Sequence, residues 1–255
     1  MFWDVVRSDT CVAGYPETKK NLQMKSLYLI LNLGTISIPF LFSFHPKIMF
    51  YKKWKALSKS LIISGAFMLV WDILYTYLGV WGFNTHYTTG YFILNLPLEE
   101  WLFFVCIPYA CVFTYACVEN VIDPQIFQRK SNIYTILLLI FFFTLFIFNI
   151  TRLYTGLVTI YSFLLLAITA HFRLVNLTRF YISFLALLLP FLLVNGILTG
   201  SFIPNSVVWY NDLENLGVRI FTIPADDFIY AFFMILLNIV LFEHFLSRES
   251  RQSNE

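Results

Sequence analysis

Charge is what this chain has least of. Only 13% of its 255 residues are Asp, Glu, Lys or Arg, against about 25% in an average soluble domain, so it cannot dress a water-facing surface. A net charge of +2 says little about partners. Cysteine is sparse as well. Cys11, Cys106, Cys111 and Cys117 include no C-x-x-C pair, and three of them share one apolar segment, so they read as small hydrophobes rather than a disulfide framework. There is no G-x-G-x-x-G, no Walker loop and no G-x-S-x-G. That disfavours a dinucleotide held on a Rossmann unit, and no cofactor is expected. His86 and His171 have no second His or Cys at ligand spacing, so no metal site is expected either. The basic residues follow loops and do not interleave with aromatics, which removes nucleic acid as a partner. The last lysine is Lys130, too early for a retinal Schiff base on a final helix.

What the chain has is oil. It is 59% hydrophobic and 20% aromatic, with 29 phenylalanines. A membrane-crossing helix needs about 20 apolar residues. Uncharged stretches of that order recur along the chain, and Leu61–Leu78 adds another that is broken only by Asp72. Seven helices are predicted, near 27–44, 61–80, 98–118, 133–150, 155–172, 179–198 and 225–245. The expected architecture is all-α and polytopic. The long loops at 81–97 and 199–224 fall on one side. Lys47, Lys52, Lys53, Lys55 and Lys59 mark the other side as cytoplasmic, with Arg129, Lys130, Arg173, Arg179 and the basic tail. A multi-pass protein of the cell membrane is expected. Residues 1–23 are polar and irregular, no cleavable signal peptide is visible, and Met24 is an alternative start.

The chain repeats itself. Slid by 127 residues without a gap, "LPLEE" (Leu96–Glu100) falls on "IPADD" (Ile223–Asp227). Pro97 meets Pro224, Glu99 meets Asp226 and Glu100 meets Asp227. Behind them Val80, Asn84, Gly90 and Ile93 meet Val207, Asn211, Gly217 and Ile220. Helices 1–3 then match helices 5–7, with helix 4 as connector. Three plus one plus three gives two parallel repeats, read as units 25–118 and 153–246 joined by 119–152. All four acids face one side of the membrane. About a pseudo-twofold axis along the membrane normal, they converge.

A proline and an acid in a helix's first turn match its missing donor and its dipole. That reading explains one acid per helix. Two side by side repel, and at least one then favours the protonated form, which in an apolar site makes a proton donor. Asp72 lies about two turns inside its helix, at a depth where an acid is costly and faces the bundle interior. Its readings are a structural hydrogen bond to a Tyr or Trp, or a place in the same cavity as Glu99. Trp71, Tyr75, Trp81, Phe103 and Phe104 flank these acids in sequence. Their π faces suit an apolar substrate and a developing cation, although lipid contact explains any one of them.

Four segments carry a resemblance: "SFHPK" (Ser43–Lys47), "WDILYTYLGVWGFN" (Trp71–Asn84), "LPLEEWLFFVCIPY" (Leu96–Tyr109) and "IPADDFIYAFF" (Ile223–Phe233). Together they resemble the integral-membrane lycopene cyclase family, in its fused single-chain form, over about residues 25–245. The second copy departs from that family's Pro-x-Glu-Asp by carrying Asp226 in place of Glu. The resemblance implies closure of lycopene's acyclic ends to β-rings without net redox change. It casts Glu99 or Glu100 as acid, Asp226 and Asp227 as base or electrostatic stabiliser, and Asp72 as the group that orients or shares the proton. Asn84, Asn211 and Tyr230 join the aromatics as expected substrate contacts, with Pro97 and Pro224 as structural positions. Expected partners are lycopene, the lipid bilayer and other carotenoid-forming enzymes. The rival readings are a hydratase or longer-carotenoid cyclase acting on a related end-group, and a small transporter using carboxylates.

Overall fold

In the computed structural model the described residues are 25–119 and 128–252. Met24 as a start, Cys11, the basic residues before Met24 and most of the 119–132 connection lie outside them. Seven helices are present among the described residues: α1 (Leu27–Phe42), α2 (Trp54–Leu78), α3 (Leu98–Val118), α4 (Gln128–Phe148), α5 (Leu153–Phe172), α6 (Leu177–Leu198) and α7 (Ala225–Gln252). All but α1 are long and apolar enough to cross a membrane. At that depth a backbone polar group has no water, so each apolar run closes its own hydrogen bonds as a helix. Local signals set several ends. Gly79, at φ +72°, stops α2. The Asn176 side chain accepts from the Arg179 N–H and starts α6.

The repeat is visible in the backbone. In the first loop β2 (Phe92–Ile93) pairs with β3 (Leu96–Pro97), Phe92 facing Pro97 and Ile93 facing Leu96. In the second, β5 (Arg219–Ile220) pairs with β6 (Ile223–Pro224), Arg219 facing Pro224 and Ile220 facing Ile223. Every residue of one hairpin has its counterpart 127 positions on. So do the turns: Leu94 and Phe221 have φ of +58° and +56°, and Gly90 and Gly217 are also positive. Each hairpin feeds its proline straight into a helix that opens with two acids.

The halves join at a strand pair. β1 (Trp81–Phe83) runs antiparallel to β4 (Val208–Tyr210), with Trp81 facing Tyr210, Gly82 facing Trp209 and Phe83 facing Val208. Gly82 and Trp209 are each other's repeat counterparts, so the pseudo-twofold axis passes between them. Two flanking bonds obey the same axis: Asn84 N donates to Val207 O and Asn211 N to Val80 O, both at 2.8 Å. Below this seam the helices exchange partners. α1 packs on α3 and α5 on α7 within the halves. α2 packs on α7 and α3 on α6 between them, while α4 lies on α5. At the opposite end Arg179 is buried over the Tyr115 ring, 3.7 Å from its centroid. It donates to Tyr115 O and pairs with Glu119 at 3.1 Å.

Candidate active site

Beneath the loops lies a cavity of about 630 Å³. Glu100, Phe103, Ile107, Ala110, Cys111 and Thr114 line it from α3, and Asp227, Tyr230, Ala231, Met234 and Ile235 from α7. α1 and α6 complete the wall. Ile30 and Ile38 of α1 and Leu193 of α6 line the cavity and are also more than half exposed, so it opens sideways between these helices toward the surface that lipid would cover. Glu100 and Thr114 are 14 residues apart on α3, which at about 1.5 Å per residue makes the cavity roughly 21 Å deep.

The doubled acids divide. Successive helix residues point about 100° apart, and here one acid of each pair lines the cavity while the other turns away from it. Glu100 and Asp227 line it, and Asp72 joins them from α2. Glu99 and Asp226 turn up into the loops instead. Glu99 Oε1 accepts from Thr89 N at 2.6 Å, and Asp226 Oδ2 from Leu216 N at 3.0 Å. Those two partners again differ by 127. Each outer acid thus fastens the loop above its own helix.

The cavity acids have different surroundings. Asp227 accepts three hydrogen bonds: Tyr154 Oη to Oδ1 at 2.7 Å, and Asn195 Nδ2 and Tyr210 Oη to Oδ2 at 2.8 and 2.9 Å. Burial and the neighbouring Asp227 carboxylate push the Tyr210 phenol well above its ordinary pKa, so it stays a donor. Glu100 Oε2 accepts from Tyr28, and its other neighbour is the Asp72 carboxyl. Asp72 Oδ1 accepts from Trp81 Nε1, while Asp72 Oδ2 is buried with no partner among the described residues. One half of the site is a carboxylate surrounded by donors. The other is a pair of carboxyl groups with few.

Of the residues expected from sequence, Trp81, Phe103 and Tyr230 line the cavity with the three inner acids. Trp71, Tyr75 and Phe104 are buried outside it. Tyr75 donates to Leu153 O at 2.8 Å, and Trp71 packs on Tyr161 with ring centroids 5.1 Å apart. Asn84 and Asn211 act within the loops, accepting from His86 N and Leu213 N. Pro97 and Pro224 are the last residues of β3 and β6. The acids' donors Tyr28, Tyr154, Asn195 and Tyr210 have no motif around them. A signal for two of them exists: Tyr28 and Tyr154 stand near the starts of α1 and α5, 126 apart, one short of the repeat offset. Among the described residues no group of three or more His, Cys, Asp or Glu could hold a metal ion.

A family model described as lycopene cyclase matches residues 25–118 and again 151–245. The chain belongs to the lycopene cyclase family. Membership makes this protein a carotenoid cyclase working in a lipid environment. It also gives the duplicated halves a common meaning, since each is matched by the same model. Searches of curated proteins and of solved structures returned no match.

Proposed function

We propose that the protein closes the acyclic ends of lycopene to β-ionone rings, as a lycopene β-cyclase. One observation carries this reading: three inner carboxyl groups converge at the closed end of an apolar cavity that opens sideways. The reaction is an isomerisation and needs an acid, a base and shelter from water. Glu100, beside a second carboxyl, is the proton donor. Asp72 is its partner, since two buried carboxyl groups side by side repel as anions and one of them favours the protonated form. The proton adds to the terminal trisubstituted double bond and leaves a tertiary cation. The neighbouring double bond attacks that cation, which forms the ring bond and moves the charge onto the ring. Asp227, held as an anion by three donors, removes a ring proton and restores a double bond. One proton enters and one leaves, so substrate and product have the same formula. Trp81 and Tyr230 line the cavity, and their aromatic rings stabilise the passing charge.

Apolar lining favours loss of a proton over capture of water by the cation, and so a cyclase over a hydratase. Acids gathered at one end of the cavity do not suit a transporter, whose site has to be reached from both faces. The lysine-rich end faces the cytoplasm of the cell membrane, and lycopene arrives through the bilayer from the enzymes that make it. Expression in cells that accumulate lycopene tests the reading. The intact chain converts the red pigment to β-ring products. Glu100→Gln, which keeps the shape and removes the transferable proton, lowers conversion at least 100-fold. Unchanged lycopene with good expression of the intact chain would overturn it.

A further inference from the structure

A duplicated fold with a twofold axis has two equivalent grooves, and among the described residues one of them is an open cavity while the other is packed with side chains. The open groove lies between α1 and α6. Its counterpart lies between α5 and α2, where three large aromatics occupy positions that are smaller in the open groove. Ala231 lines the cavity, and its repeat counterpart is Phe104, buried against α2 beside Gly65. Thr35 lines it seven residues after Tyr28; seven residues after Tyr154, its match, stands Tyr161. Val194 lines it one residue before Asn195; one residue before Asp72, which meets the other inner acid, stands Trp71. Trp71 and Tyr161 pack on each other and on Phe233, with ring centroids 5.1 to 6.0 Å apart. The inner acids of both halves therefore serve one chamber.

We infer that the protein has a single reaction chamber and closes one ring per binding event, releasing a one-ringed carotenoid to the bilayer before the second end is treated. The inference rests on the cyclase reading above and adds the order of events. All three acids sit at one end of a channel roughly 21 Å deep. A stretched polyene is about as long as the ~30 Å hydrocarbon core. It is a stiff conjugated rod that cannot reverse in such a channel, so the far end reaches the acids only after the molecule leaves and re-enters.

The full chain, reconstituted in phospholipid vesicles with excess lycopene, tests this. One-ringed product should appear first. Two-ringed product should follow after a lag or not at all, and added deuterium-labelled one-ringed carotenoid should enter the two-ringed pool in proportion to its share. Two-ringed product from the first turnovers, without lag or label, would overturn the inference. Cyclisation of neither end would instead sink the cyclase reading. Variants give an independent arm. Thr35→Tyr and Val194→Trp copy the filled groove into the open one, and each should slow turnover at least tenfold with the melting temperature retained. Full activity in both would overturn the single chamber. Tyr161→Thr, in the filled groove, should keep both the rate and the lag.

Discussion

Gly82 faces Trp209 so closely that a Cβ on the glycine would lie 2.4 Å from Trp209 Cζ2. This is the point where the two halves cross, and the small residue of the pair lets the large one lie flat on the seam. Gly82→Ala therefore displaces the indole or spreads β1 from β4. Overpacking of this kind costs about 1–3 kcal/mol, read as a lower melting temperature of the protein in detergent. Gly34→Ala is the control. It lies inside α1 with nothing within 4 Å of an added Cβ, and should gain about 0.5–1 kcal/mol from the helix preference of alanine.

The division of the doubled acids makes a second prediction. Glu99 Oε1 holds the Thr89 N–H outside the cavity, so Glu99→Gln, which keeps an acceptor, should cyclise within a fewfold of the intact chain. Glu99→Ala leaves that N–H without its partner and should cost about 1–3 kcal/mol of stability. Glu100→Gln should show the reverse pattern, with stability kept and activity lost. Pigment extraction and a melting curve on the three variants separate the two roles. Comparable activity loss in Glu99→Gln and Glu100→Gln would mean that both acids react.

Much of this is legible in the sequence, for physical reasons that also mark where legibility stops. An apolar run of bilayer length has one backbone solution, so the helices and their order follow directly. Pro97 and Pro224, each followed two residues later by paired acids, announce the repeat because such positions tolerate little else. The facing of side chains is harder. Trp71 is adjacent to Asp72 in sequence yet turned about 100° from it on the helix, which takes it into the filled groove. Tyr28 and Tyr154 escape an ungapped slide because the offset between α1 and α5 is 126 rather than 127. Asn195 escapes because Asp72, which plays the matching part beside the other inner acid, lies 123 residues before it and is a different residue type. Nothing in the sequence distinguishes the aromatics that line the cavity from those that fill its twin.

Leu94 and Phe221 present a third case. Both sit at hairpin tips with positive φ, and both are largely exposed, 74% and 84%. A non-glycine residue in this region carries roughly 1–2 kcal/mol of strain. Leu94→Gly should remove it and raise stability by about 1 kcal/mol in detergent. These apolar tips lie at the loop end, where side chains of this kind anchor a protein in the membrane interface. Leu94→Gly and Phe221→Gly together should then weaken retention of the loops in lipid, read as faster protease cleavage within 81–97 and 199–224 in vesicles. Equal cleavage in the intact and doubly substituted proteins would remove the anchoring role.

The donors around Asp227 allow the sharpest separation, because they are unequally shared. Tyr154 is the sole described donor to Oδ1, whereas Asn195 and Tyr210 both serve Oδ2. A hydrogen bond to a charged group is worth about 1.5–3 kcal/mol. Tyr154→Phe leaves one carboxylate oxygen bare and should slow cyclisation by about 10- to 100-fold. Tyr210→Phe leaves Asn195 in place on the same oxygen and should cost less, about threefold to tenfold. Adding Asn195→Leu to Tyr210→Phe then strips Oδ2 and should bring the loss to the level of Tyr154→Phe alone, a more than additive drop expected of two groups serving one atom. Initial rates on lycopene in vesicles are measured for the intact chain, for Tyr154→Phe, Tyr210→Phe and Asn195→Leu singly, and for the double variant, which completes the cycle. Equal losses in Tyr154→Phe and Tyr210→Phe, with an additive double variant, would mean that these hydroxyls shape the cavity without holding the charge of Asp227.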